Sequence, residues 1–155
     1  MANWCINEVD ISFHRDCPME ERLRIRKAIN IPLEERNEKC QGNWKEEDNW
    51  FSFKIIVPEP KHKIVEVKDR LPEYVLENGE DYDWYHWRYD NWGVKWDRSD
   101  IYFSDNDELN ISMSFDTPWN PPEGVHNKVR EILDDYASMT WFYRESGCEI
   151  AGYLQ

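Results

Sequence analysis

"LNISMSFDTPWNPPEGVHNKVREIL", residues 109–133, reads as one strand that runs into one helix. Leu109, Ile111, Met113 and Phe115 alternate with polar neighbours, so a strand here buries a single face. Past the prolines the period changes, and Val125, Val129, Ile132, Leu133 and the following Tyr136 recur at helical spacing. Asn120 stands where an N-cap belongs, Pro121 where a missing N–H is harmless, and Glu123 at the capping-box position. A half-buried strand followed by an amphipathic helix calls for a sheet with helices laid against one side of it.

The flanking segments extend that sheet. "DNDE" (105–108) is a turn and "VKWDRSDIYFS" (94–104) runs extended before it, giving a β-hairpin. On the other side, "TWFYRES" (140–146) and "CEIAGYLQ" (148–155) form two strands around a turn at Ser146 and Gly147. At the start of the chain, "NWCINEVDISF" (3–13) sets Cys5, Val9, Ile11 and Phe13 against a more polar face. "RDCPMEERLRIRKAIN" (15–30) follows as a helix with Asp16 as a cap, acids in its first turn and bases in its last. The polar segment 34–48 reads as a loop, and "NWFSFKIIVPEP" (49–60), rich in aromatic and β-branched residues, as a second strand. Beyond it the pattern weakens: "KIVEV" (63–67) is a short strand and "DRLPEYVLENG" (69–79) one or two helical turns. This order predicts one α+β domain over residues 1–155, a ferredoxin-like sandwich with a largely antiparallel sheet and helices on one face. An aromatic-rich helical segment is inserted around 59–98.

That segment, "YDWYHWRYDNWGVKWD" (82–97), carries seven aromatic side chains interleaved with charges, and Gly93 supplies a left-handed helix end. At about 100° per residue, Tyr82, Tyr85, Tyr89 and Trp92 share one side of the helix, while Trp84, Trp87, Arg88 and Asn91 share the other. A sheet covers only one such stripe. The second is either further core or the wall of a site in which Trp84 or Trp87 stacks a flat ring and Arg88 or Lys95 faces an anion. Arg88 packed on a neighbouring indole is the structural alternative.

Acids outnumber bases 32 to 19, a net charge of −13, so the field of the chain repels phosphate backbones and argues against direct nucleic-acid binding. It suits a protein partner with a basic surface. The 15% aromatic content, with nine Trp, separates the chain from disordered acidic sequences. Cys5, Cys17, Cys40 and Cys148 are widely spaced, no apolar leader opens the sequence and no run is long enough to cross a membrane, which together predict a cytoplasmic protein with reduced thiols.

Catalytic and metal signals are weak. His14 and Cys17 are one turn apart without a second pair to complete a zinc set, and Asp105, Asp107, Glu108 and Asp116 match only part of a calcium loop. None of His14, His62, His86 and His126 sits in a hydrolase or metalloprotease motif, and no phosphate-cradling glycine loop is present. No catalytic residue, metal or cofactor is therefore assigned. A carboxylate-dependent enzyme is the least favoured reading, since with 32 acids any pair of them is uninformative.

Five motifs in order, "MANWCIN", "FSFKIIVPEP", "NWGVKWD", "TPWNPP" and "YRESGCEIAG", resemble the YubB-like family of phage and plasmid proteins. The resemblance implies a ferredoxin-like domain of unknown function and a mobile-element setting; it implies no reaction. Where that family commonly has Thr, Ala and Ser, this chain has Val94, Pro118 and Asn120. The shared residues Asn91, Trp92, Lys95, Trp96 and Asp97 form a helix end and its exit, and Trp119 a hydrophobic staple before the Asn120 cap. With Trp84, Trp87 and Arg88 they make up the candidate binding residues. Two functions fit: a binding protein acting on a host protein, such as a defence component with a basic surface, or a binder of a small nucleotide-like ligand in a pocket of Trp84, Trp87, Trp92, Trp96 and Trp119.

Overall fold

Strand β1 (Trp4–Phe13) is the middle of the structure, a computed structural model that describes residues 3–33 and 49–155. Its alternating residues Cys5, Asn7, Val9, Ile11 and Phe13 are all buried, as a one-sided strand requires. Helix α1 (Met19–Ile29) follows, then α2 (Phe53–Ile56), β2 (His62–Val65), β3 (Glu73–Leu76) and α3 (Trp84–Asn91). The chain returns to the main sheet with β4 (Ser99–Asn106) and β5 (Asn110–Pro118), then α4 (Glu123–Leu133), β6 (Ala137–Glu145) and β7 (Ile150–Leu154).

The five-stranded sheet has the order β4-β5-β1-β6-β7 and is antiparallel throughout. β1 therefore separates β5 from β6, and β5 separates β1 from β4, so each strand–helix–strand unit straddles another strand. That split arrangement is the ferredoxin-like order, extended by β7 at one edge. Ile25 and Ile29 of α1 and Val125, Val129 and Leu133 of α4 bury their side chains against Val9, Ile11, Met113, Phe115 and Trp141 of the sheet. Both main helices thus cover one face. β2 and β3 pair only with each other, outside the main sheet.

Several local expectations fail for identifiable reasons. The segment 49–60 is not a strand. Phe51 turns with φ 54°, and Phe53–Ile56 is a single helical turn that sends Phe51, Phe53 and Ile56 into the core. Phe51, Ser52, Phe53 and Ile56 are buried while Lys54 and Ile55 are exposed, a pattern without the period of two that a strand requires. Residues 73–76, read as helical, form β3 because they pair with β2. Asp16 does not cap α1, which begins after Pro18 with no side-chain cap. Nor does Asn120 cap α4: the helix starts one residue beyond the proline pair, at Glu123, and the Asn120 carbonyl accepts from the Thr117 hydroxyl instead (2.7 Å). The polar segment 34–48 lies outside the described residues.

α3 is held to α4 by backbone contact. Gly93 ends α3 at φ 88°, and the Gly124 amide donates to the Trp92 carbonyl (3.1 Å). A Cβ on Gly124 would lie 2.0 Å from the Asn91 carbonyl oxygen, so only glycine allows this approach.

Candidate functional site

The aromatic helix starts with its own cap, the Asp83 carboxylate accepting from the His86 amide (3.2 Å). No residue within Trp84–Asn91 is fully buried, so the expected stripe pressed against the sheet does not exist. The core contact is made instead by Trp92, just past the helix end, with 0% exposure and its indole N–H on the Val57 carbonyl (2.9 Å). Tyr85, expected on the same side as Trp92, is exposed.

Arg88 organises what lies around it. Its guanidinium sits 4.9 Å from the Trp84 ring and 5.0 Å from the Trp92 ring, the structural alternative of the sequence reading. It also donates to Glu59 (2.9 and 3.2 Å) and to the Lys95 carbonyl (3.1 Å). The Tyr82 hydroxyl donates to the other oxygen of Glu59 (2.6 Å); burial and that carboxylate push the phenol well up, so it stays a donor. Trp87 packs edge-on to Trp92 (5.9 Å), and Asn91 donates to the Trp87 carbonyl (2.8 Å). Asp97 accepts from the Ser52 hydroxyl (2.7 Å), the Phe53 amide (2.9 Å) and the Arg98 amide (2.7 Å), holding the start of α2. Glu59 is the residue of this cluster that the sequence did not reveal, because it lies 29 positions from Arg88.

The nine candidate residues therefore do not converge on one place. Trp84, Trp87, Arg88, Asn91, Trp92 and Asp97 tie the aromatic segment to the body, while Lys95, Trp96 and Trp119 lie further out. Trp96 is 43% exposed, with the Lys95 ammonium 4.4 Å from its ring and the Trp4 ring, 44% exposed, at 6.4 Å. Trp119 is 40% exposed at φ 67°, its amide donating to the Asn3 carbonyl (2.9 Å); it packs as no staple, since the helix begins later.

The larger exposed feature is the sheet face opposite the helices. Residues directly paired across an antiparallel ladder point the same way. Glu8 pairs with Ser114 and Phe142, which pair with Tyr102 and Tyr153, so these five form one row across all the strands. On either side lie a row through Asp10, with Ser112 and Thr140, and one through Ile6, with Asp116 and Arg144. Glu8, Asp10, Tyr102, Arg144 and Tyr153 are exposed, and Trp4 continues the face toward Trp96. β4 carries register shifts, and Asp100 sits in one of them at φ 51°. Partial burial and the Asp100 charge raise the Asp116 carboxyl above its ordinary value. The face thus combines carboxylates and rings with Arg144 as the base in these rows.

Of the acids near the β4–β5 turn, Asp107 accepts from the Leu109 and Asn110 amides (2.9 and 2.8 Å). Among the described residues no helix is long and apolar enough to cross a membrane.

No family model matches the chain. No curated protein matches it either. Among solved structures it is similar to the crystal structure of a protein api92 from Yersinia pseudotuberculosis, family-model DUF1281, with a TM-score of 0.53 and 10% sequence identity over 99% of this chain and 93% of that one. At that identity the likeness is one of fold: a mixed α+β domain built on a five-stranded antiparallel sheet.

Proposed function

We propose that this chain is a non-enzymatic binding protein that docks a basic protein partner on the open face of its sheet. The observation that carries the reading is the row Tyr102–Ser114–Glu8–Phe142–Tyr153 with Asp10 and Asp116 beside it. Exposed rings offer apolar area and cation–π faces, and the carboxylates set among them favour lysine and arginine. The same carboxylates repel the phosphates that an open sheet of this fold class would otherwise suit. The net charge of −13 adds steering at long range. In the phage or plasmid setting that the motif resemblance implies, and with the cytoplasmic location expected from the sequence, the partner is a host protein, such as a defence component.

The test compares E8K/D10K/D116K with a control reversing acids on the helices, E20K/E21K/E131K. Each is used as bait in host lysate at low and physiological salt, beside the unaltered chain. A protein retained by the unaltered chain and the control but lost by the sheet variant supports the reading. Loss with both variants, or nothing retained at either salt, overturns it. A nucleotide panel that raises the melting temperature would favour the small-ligand alternative.

A further inference from the structure

The two edges of the main sheet are not alike. β4 departs twice from regular register with β5, between Ser99 and Tyr102 and again between Phe103 and Asp105, and such bulges twist an edge out of reach of another strand. β7 pairs with β6 in unbroken register from Ile150 to Leu154. Its sequence, Ile-Ala-Gly-Tyr-Leu, contains no charge and no proline in a chain that is 33% charged. Charge and proline are the usual protections of an edge, and this edge has neither. Tyr153 is 64% exposed on the open face and Ile150 is exposed on the helix side.

We propose that β7 pairs antiparallel with β7 of a second copy about a two-fold axis at Gly152, joining two five-stranded sheets into one of ten strands. The strand is complementary to itself in that register. Ile150 meets Leu154 of the partner subunit on the helix-side face, where Leu154 already packs against the core. Ala151 meets Tyr153 of the partner subunit on the open face, a small residue beneath a large ring, and Gly152 puts no side chain of its own at the axis, where the Tyr143 hydroxyl lies 3.1 Å from the place of the missing Cβ. Within Ile150–Leu154 no like charges are opposed, since the strand carries no charged side chain, and the nearby Glu145 carboxylate is occupied by the Gly147 and Cys148 amides. A second copy fits better than a foreign strand because both faces of the pairing match residue for residue. The net charge of −13 on each chain opposes association, so salt strengthens the dimer. This inference does not depend on the proposed partner.

Sedimentation or light scattering across a concentration series, at low and physiological salt, reads the outcome on the full chain. The expected result is a mass rising from 18.9 kDa toward twice that value, at lower concentration when salt is added. A151E/Y153E opposes like charges across the axis and is expected to remain monomeric, with its melting curve checking the fold. A151E/Y153K opposes unlike charges in the same register and is expected to dimerise. A chain that stays at the monomer mass throughout overturns the proposal. So does a dimer to which the two double variants are indifferent.

Discussion

Arg88 and Glu59 meet at 2.9 Å with side chains 14% and 7% exposed, an ion pair largely withdrawn from water between two indole rings. Removing one member leaves the other charge buried. Glu59→Ala is expected to lower stability by about 3 kcal/mol, and Glu59→Met/Arg88→Met by clearly less, because the uncompensated charge is then gone. Denaturant unfolding of the three proteins checks the order; a double variant as unstable as Glu59→Ala would contradict it.

Asp97 and α2 give a second prediction. Asp97→Ala removes the acceptor for the Ser52 hydroxyl and the Phe53 amide and is expected to cost about 1–2 kcal/mol. Asp97→Asn keeps an oxygen in place and is expected to cost less. Thermal melts distinguish a capping residue from a binding residue, whose loss would leave the melt unchanged.

His126 is buried edge-on to Trp141 (5.5 Å), and burial lowers its pKa below the ordinary value of 6.5. The folded state therefore favours neutral imidazole. Its contribution is complete above pH 6.5 and falls as the pH drops toward the depressed folded value. Melting temperature is expected to decline as the pH drops below 6.5, and His126→Phe is expected to flatten the decline.

Asp116 has the opposite sign. Its raised carboxyl binds a proton more tightly in the folded state, so the ionised form works against folding near neutral pH. Asp116→Asn is expected to raise stability at pH 7, by less than about 1 kcal/mol because the group stays partly solvated. The gain should shrink as the pH falls through the raised value and vanish below the ordinary value of 3.8. Melts at neutral and acid pH read both parts.

The sheet was legible in the sequence wherever a strand buries one face. The alternation of 3–13 and 109–115 placed Val9, Ile11, Ile111, Met113 and Phe115 correctly, and the resulting order of elements was enough for the α+β sandwich. Periodicity gave no help where the chain turns into a single helical turn, as from Phe51 to Ile56, or where pairing with a neighbour decides, as at 73–76. The aromatic segment differs from the expectation because no residue of Trp84–Asn91 turns fully inward; the ring buried in the core is that of Trp92 at the helix C-cap, where its indole bonds to the Val57 carbonyl. Strand alternation alone could have turned Glu8 and Asp10 outward. Their gathering with Tyr102, Phe142 and Tyr153 required the register of five strands, which no single stretch encodes.

At Gly124 a lone hydrogen keeps two helices together. Many of the surrounding rings can be exchanged for others of similar bulk, but even an alanine there would drive α3 and α4 apart and strip Trp92 of its cover. A scan of all substitutions across the chain should find this position among the least forgiving, although it carries no side chain at all.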